Sequence, residues 1–271
     1  MSLLDTLRRI YPFVFYPCAL SLAFIIATAS LEADRFMRAA VQQQDAATSA
    51  ERAAKQALET LTFSLYDGAR ALRQEQASME FAVALHARQA RNAAWALGSL
   101  TIVLLLALPR QRRQWLGHLT ALGLVCFGIG VTASLLRVVT YADVPVLGQV
   151  AVGFTAKTLV STIDSLWQEG HETVAGLVFL FSFVTPLAKL AVTAACLIFD
   201  GSRRRDQALR LVHFIGKWSM VDVFIVAVLL VVFSFKGDAV GHATPGIGLY
   251  FFAAYCVIAQ AVLLGLDRRA G

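Results

Sequence analysis

The chain has 271 residues, of which 58% are hydrophobic and 15% are charged, and its mean hydropathy is +0.64. Soluble domains contain about 45–50% apolar and about 25% charged residues, and several uncharged apolar runs here reach the roughly 20 residues that cross a bilayer core. These values exclude an ordinary soluble protein and predict an all-α polytopic membrane protein.

The net charge of +6 does not indicate a nucleic-acid-binding protein. The basic residues cluster in short segments beside apolar runs, as in cytoplasmic loops, and no basic patch is interleaved with aromatic residues. We therefore expect no nucleic-acid partner. The cysteines lie singly within apolar runs, with no C-x-x-C pair, so we expect no disulfide framework, no metal site and no other cofactor.

The first apolar run, Tyr11–Ser30, follows Arg8 and Arg9. Ala27-Thr28-Ala29 resembles a signal-peptide cleavage site, but the run is longer than the roughly 7–15 apolar residues of a signal peptide. We expect an uncleaved membrane span, with a removed signal peptide as the alternative.

Residues 31–92 are rich in Ala, Gln, Glu and Arg and contain no proline, a composition that favours long helices. The residues from Thr48 to Glu51 fit a helix capping box. Helically spaced apolar residues follow from Leu58 to Met79, with Gly68 among them. We predict an extracytoplasmic helical hairpin over 31–92 with its turn near "QQQDAAT"; a helix lying on the membrane surface is the alternative.

Together with the first run, five further apolar segments predict six transmembrane helices; the five are 93–109, 117–136, 173–199, 217–235 and 247–266. Basic segments fall on alternate connections between them: Arg8-Arg9, 110–113, 203–205 and 268–269. The positive-inside rule places these segments and both termini in the cytoplasm. Residues 137–172 begin with a β-like stretch and continue as an amphipathic helical pattern that contains Trp167, a residue suited to a membrane interface. They predict a small extracytoplasmic strand-and-helix cap.

The span 173–199 contains Thr185, Pro186 and Lys189. Lys189 lies about 11 residues before Asp200, which is roughly 16 Å along a helix and close to mid-bilayer. Pro186 removes a helical hydrogen bond, and a proline-broken helix at membrane depth lines a cavity or packs within protein.

Asp222 lies about 5 residues beyond Lys217, roughly 8 Å into the membrane. A Lys189 side chain that bends towards the cytoplasm reaches this depth, so Lys189 or Ser219 is expected to satisfy the carboxylate. The pair is either a static link between two helices or a titratable pair that exchanges protons or gates a path. Lys217 and Trp218 are typical of an interfacial anchor.

Four stretches resemble the signature of the paraquat-inducible protein A family: "TPLAKL" at 185–190, "GKWSMVDVFIVAVLL" at 216–230, Lys236 and "GIGLYFF" at 246–252. The resemblance covers about residues 113–267. It divides the chain into 1–112, a two-span hairpin with an extracytoplasmic helical insertion, and 113–271, a four-span domain. Well-known members often carry two four-span copies and C-x-x-C zinc ribbons, whereas this chain has one copy and no ribbon. Either a homo-oligomer or the hairpin spans would then complete the interior.

The resemblance implies an inner-membrane protein of diderm bacteria that acts with a periplasmic protein bearing mammalian-cell-entry (MCE) domains. Such systems carry lipids between the inner and outer membranes and support envelope integrity. Lys189, Asp222, Ser219 and Thr185 would then line or couple a polar pathway for phospholipids, and Trp218 and Met220 would shape its cytoplasmic side. The alternative is a membrane sensor or scaffold that uses the extracytoplasmic hairpin. We expect no enzyme activity, because the sequence contains no H-E-x-x-H, no G-x-S-x-G and no phosphate-binding glycine loop.

Overall fold

The computed structural model describes residues 3–42, 68–107, 112–144, 148–198 and 241–267. Within these ranges the chain is mostly helical, with one small antiparallel sheet. The helices are α1 (Leu3–Gln42), α2 (Gly68–Ala107), α3 (Arg112–Thr132), α4 (Leu159–Gln168), α5 (Glu172–Phe179) and, after a π-helical turn at Leu180–Val184, α6 (Thr185–Ile198) and α7 (Ile247–Asp267). The strands are β1 (Leu136–Val144), β2 (Gly148–Lys157) and β3 (Gly241–Pro245).

Four helical segments among the described residues are long and apolar enough to cross a membrane: Phe13–Gln42, Arg113–Thr132, Glu172–Leu197 and Ile247–Leu266. They match the first, third, fourth and sixth predicted spans. The second predicted span falls largely within α2, and the fifth, 217–235, lies outside the described residues. A polytopic helical protein is therefore confirmed, and six spans stay a prediction.

Helices α1 and α2 pack against each other in opposite directions. The Tyr11 hydroxyl donates to the Leu100 carbonyl at 3.3 Å, and at the other end Phe36 stacks on His86 with ring centroids 5.5 Å apart. Each apolar run and its polar arm thus form one helix, because no proline or glycine lies where they join, near Ser30 and near Asn92. The turn and the capping box of the predicted hairpin lie outside the described residues.

The remaining helices are arranged around α3. Tyr16 stacks on His118 and Ser30 meets Ser134, so α1 and α3 run in the same direction. Helix α7 runs against α3, because Leu116 lies beside Gly265 near one end and Phe127 lies beside Phe252 further along, with centroids 6.4 Å apart.

Helix α6 also runs against α3. Arg113 donates to the Leu197 carbonyl at the end of α6, through Nε at 3.0 Å and Nη2 at 2.8 Å. The starts of α1 and α3 and the ends of α6 and α7 therefore share one side of the bundle. This is the sidedness that the alternating basic segments predicted, although which side is cytoplasmic stays a prediction.

The sheet lies at the opposite side and has the strand order β2-β1-β3, antiparallel throughout. Strands β1 and β2 form a hairpin with an irregularity between Thr140 and Tyr141, and β3 pairs Pro245 with Leu136. The predicted strand and helix within 137–172 are present, since α4 follows β2 directly, and their extracytoplasmic location stays a prediction. The third strand was not predicted, because five residues without clear alternation become a strand only when a distant partner pairs with them.

The start of α7 is seated against the turn that joins α3 to β1. Gly246 N–H donates to the Leu135 carbonyl at 2.9 Å, and Gly248 N–H donates to the Ser134 carbonyl at 3.0 Å. A Cβ atom at Gly246 would come within 2.0 Å of the Ser134 carbonyl oxygen, and one at Gly248 within 2.5 Å of that of Ala133. Both positions therefore require glycine for the close approach of two backbones.

Candidate functional site: a buried lysine beside a π-helical turn

The helical hydrogen-bond pattern of the fourth predicted span changes at Pro186. A proline lacks an N–H and its ring clashes with the carbonyl four residues earlier, here that of Ser182. The chain accommodates Pro186 by widening into the π-helical turn Leu180–Val184, where Thr185 N–H bonds to the Leu180 carbonyl. The Thr185 hydroxyl donates to the same carbonyl at 3.1 Å. The interruption is thus satisfied locally, and π-turns of this kind are frequent at functional sites.

Pro186 also contacts the last helix. It is fully buried, and its carbonyl accepts a hydrogen bond of 3.2 Å from the hydroxyl of Tyr255, which is buried too. Tyr255 packs on Phe127 of α3, with ring centroids 5.2 Å apart. The proline carbonyl is therefore bound by α7, through a tyrosine that is itself packed on α3.

Lys189 lies about one turn beyond Pro186 and is only 4% exposed. It lines a small pocket between α3, α6 and α7, together with buried Thr193, Thr120 and the apolar Ile258 and Val262. The pocket has a volume of about 10 Å³, room for about one water. Lys189, Thr120 and Thr193 thus line a small pocket whose surface is mostly apolar.

A buried ammonium group can stabilise a negative charge that enters the bundle. It carries three donors and acts as a compact point charge, so it suits a phosphate oxygen or a carboxylate without fixing one geometry. Thr120 donates its hydroxyl proton to the Leu116 carbonyl at 2.8 Å, so its oxygen can only accept a further hydrogen bond.

The structure brings together three of the residues singled out in the sequence: Thr185, Pro186 and Lys189 all lie on one short stretch of α6. The other six lie outside the described residues: Lys217, Trp218, Ser219, Met220, Asp222 and Lys236. The Lys189–Asp222 pair therefore stays a prediction. Thr193, four residues beyond Lys189, was missed, although its spacing already placed it on the same helix face.

A second buried polar cluster was also missed. Asp34 of α1 is 4% exposed, and its Oδ1 lies 2.7 Å from Nε of Arg137 in β1. Nη2 of Arg137 donates to the Ser30 hydroxyl at 3.3 Å, and Ser30 meets Ser134 at 3.4 Å between hydroxyl oxygens. Among the described residues, Asp34 Oδ2 has no hydrogen-bond partner. The cluster joins α1 to the end of α3 and the start of the sheet.

A signal for this cluster was present in the sequence. Ser30 and Asp34 are four residues apart and so share a helix face at the end of the first apolar run. Arg137 directly follows the third predicted span. These residues meet only because α1 and α3 pack in parallel, which places the end of the first span beside the end of the third.

Comparison with known proteins bears on the second half of the chain. The family model of paraquat-inducible protein A matches residues 131–270, just over half of the chain. The chain belongs to the paraquat-inducible protein A family. The match includes the Lys189 pocket's α6 and α7 residues and the Gly246–Gly248 contact. The hairpin of α1 and α2 and most of α3 lie before it.

Several curated relatives are similar to part of this family member. Intermembrane transport protein PqiA of Escherichia coli (strain K12) is 30% identical over 118 residues, 41% of this chain and 28% of that protein. A probable intermembrane transport protein of Haemophilus influenzae (strain ATCC 51907 / DSM 11121 / KW20 / Rd) is 32% identical over 103 residues, 36% of this chain and 24% of that protein. Lipophilic envelope-spanning tunnel protein A of E. coli (strain K12) is 30% identical over 118 residues, 41% of this chain and 27% of that protein. The matches thus cover about a quarter of each relative, and no solved structure matches the chain.

Proposed function

We propose that this protein is the inner-membrane component of an MCE-type system that transports lipids between the inner and outer membranes. Two of its relatives are named as intermembrane transport proteins and a third as an envelope-spanning tunnel protein. Its four apolar helices suit a membrane location. In this proposal the starts of α1 and α3 and the ends of α6 and α7 face the cytoplasm.

The observation that carries the proposal is Lys189, a buried lysine within a candidate span and one turn from a π-helical interruption. Ionisable groups at membrane depth are costly and mark substrate paths, ion paths or structural pairs. A phospholipid passing between α3, α6 and α7 would present its phosphate to the Lys189 ammonium group and to the hydroxyl of Thr193. No bond of the lipid is made or broken, so the role requires no enzyme activity.

The pocket must enlarge for this role, since about 10 Å³ accommodates one water and not a lipid headgroup. The π-helical turn provides the place where α6 would bend. Helices bend where their hydrogen-bond ladder is already interrupted, and Pro186 interrupts it within one turn of Lys189. The Tyr255–Pro186 hydrogen bond would hold the closed arrangement.

The sheet, α4 and the long arms of α1 and α2 lie together on one side. The starts of α1 and α3 and the ends of α6 and α7 lie on the opposite side. An MCE-domain protein in the periplasm would meet the side that carries the sheet. The arms of α1 and α2 would contact that partner, and the sheet would lie beside the opening of the lipid-carrying tube that the partner forms.

The test is affinity purification of the tagged full chain from membranes of its native host in a mild detergent, with mass spectrometry of co-purifying proteins and lipids. An MCE-domain protein together with bound phospholipid supports the proposal. Co-purification of signalling proteins without an MCE-domain protein contradicts it and favours the sensor or scaffold alternative. The same purification of a Lys189→Met protein shows whether bound phospholipid depends on the lysine.

A further inference from the structure

Helix α4 has an apolar face that the fold only partly buries. At about 100° per residue, its five apolar side chains fall within an arc of about 120°. Leu159 at one edge is buried in the main core. Val160 and Trp167 at the other edge are 54% and 57% exposed. This apolar edge of the helix is therefore about half exposed.

The polar side of α4 begins next to this edge, where Asp164 follows Val160 around the helix, and it is hydrogen-bonded. Lys157 Nζ donates to the Ser165 hydroxyl at 2.8 Å, and Gln168 Nε2 donates to Asp164 at 3.0 Å. Thr158 and Ser161 form a capping box that fixes the start of the helix. The helix is thus a well-formed amphipathic segment, whose orientation is set at its N-terminal end by β2.

The connection from α4 to the following span is rigid and short. Gly170 has a φ of 81°, and its N–H donates to the Trp167 carbonyl at 3.2 Å, while His171 N–H donates to the Leu166 carbonyl at 2.9 Å. This pair of bonds is a Schellman motif, which requires the left-handed conformation that glycine adopts freely. Glu172 then begins a candidate membrane span. The end of α4 is therefore held within a few residues of the membrane boundary.

The span that follows also exposes apolar side chains near its start, at Val174 and Leu177. We infer that α4 is an interfacial helix that inserts Val160 and Trp167 between the headgroups and acyl chains of the leaflet on the sheet side. Tryptophan is enriched at this depth, because its ring is apolar and its N–H reaches polar partners. The helix binds the bilayer itself and sets the height of the sheet above it. This role does not depend on lipid transport.

The experiment uses the full chain reconstituted into phosphatidylcholine–phosphatidylglycerol nanodiscs. A variant with Trp95→Phe, Trp115→Phe and Trp218→Phe keeps Trp167 as the single tryptophan. We expect its emission to be quenched by phosphatidylcholine brominated near the start of the acyl chain, and to be protected from acrylamide in water. Emission that acrylamide quenches as in free tryptophan, with no effect of brominated lipid, overturns the inference.

A second comparison does not depend on the triple substitution. In the otherwise unchanged protein, Trp167→Phe should reduce the part of the emission that brominated lipid quenches. Trp115→Phe, which changes another tryptophan, is the matched reference for this difference. If Trp167→Phe leaves the lipid-quenchable emission unchanged, Trp167 is outside the bilayer and the inference fails. The lipid-transport proposal would survive that result.

Discussion

Asp34 and Arg137 form an ion pair that joins two parts of the chain, the residues before the family match and the residues within it. Arg137 belongs to the stretch matched by the family model, whereas Asp34 lies on α1, before that stretch. The pair, with Ser30 and Ser134, holds the N-terminal hairpin to the family domain at the sheet side. At the other end of α1 the Tyr16 hydroxyl hydrogen-bonds to Nδ1 of His118. Polar contacts therefore hold α1 against α3 near both ends of the region where the two helices pack.

Removing one partner of the Asp34–Arg137 pair should destabilise the protein strongly. Asp34→Leu leaves a guanidinium group in a largely buried site, and such losses cost about 3–5 kcal/mol. The Arg137 side chain is 26% exposed, so the lower end of that range is expected. Chemical unfolding in mixed micelles measures the change. The double variant Asp34→Leu/Arg137→Met should recover most of the stability, since it leaves no charge behind.

The exposed pair Glu32–Arg35, with a 2.9 Å contact on the same helix, is the matched control. Exposed pairs contribute about 0–1 kcal/mol, so Glu32→Gln should have little effect on unfolding. If Glu32→Gln and Asp34→Leu lowered the free energy of unfolding equally, burial of the Asp34 pair would not increase its contribution to stability.

Replacing Gly246 or Gly248 by alanine should weaken the contact between α7 and the turn after α3. The added Cβ would lie 2.0 or 2.5 Å from a backbone carbonyl oxygen. Relieving this clash requires one of the two backbone segments to move. Overpacking of this kind costs about 1–3 kcal/mol or more. The thermal unfolding midpoint in detergent measures it. Gly128→Ala has open space around its Cβ and should leave the midpoint unchanged or raise it.

Lys189→Met should retain the fold and lose bound phospholipid. Methionine keeps most of the length of the side chain and removes the charge. Loss of one charge-assisted contact of about 1.5–3 kcal/mol corresponds to at least about tenfold weaker binding. Mass spectrometry of co-purified lipid measures it. Leu187→Met, at an exposed position two residues away, is the control. Unchanged lipid content and transport in a folded Lys189→Met protein would exclude a functional role for the charge.

Tyr255→Phe should destabilise the closed arrangement of α6 and α7. It leaves the buried Pro186 carbonyl without the 3.2 Å hydrogen bond from Tyr255, which costs about 1–3 kcal/mol. The thermal unfolding midpoint should fall accordingly. Tyr250→Phe alters an exposed tyrosine of the same helix and should have no comparable effect. Equal midpoints for both variants would mean that the hydroxyl of Tyr255 does not stabilise the bundle.

The positions of several helices and of the buried lysine could be predicted from the sequence. Long apolar runs predict spans, because an unpaired backbone in lipid is satisfied only within a helix or a closed barrel. The unbroken composition after Ser30 predicts that α1 continues beyond its apolar run, and the helical spacing of Leu159, Ile163 and Leu166 predicts α4. Lys189 stands out because a charge within an apolar run is costly wherever the helix packs.

Other features depend on which segments meet. The β3 strand forms because Leu136 pairs with Pro245, more than a hundred residues away. The pocket around Lys189 requires α3 and α7 as neighbours. The sequence alone determined which residues must be helical, apolar or charged, since these are properties of each segment in lipid or water. The tertiary structure alone decided that Asp34 meets Arg137, because pairing between distant groups depends on the packing of whole helices.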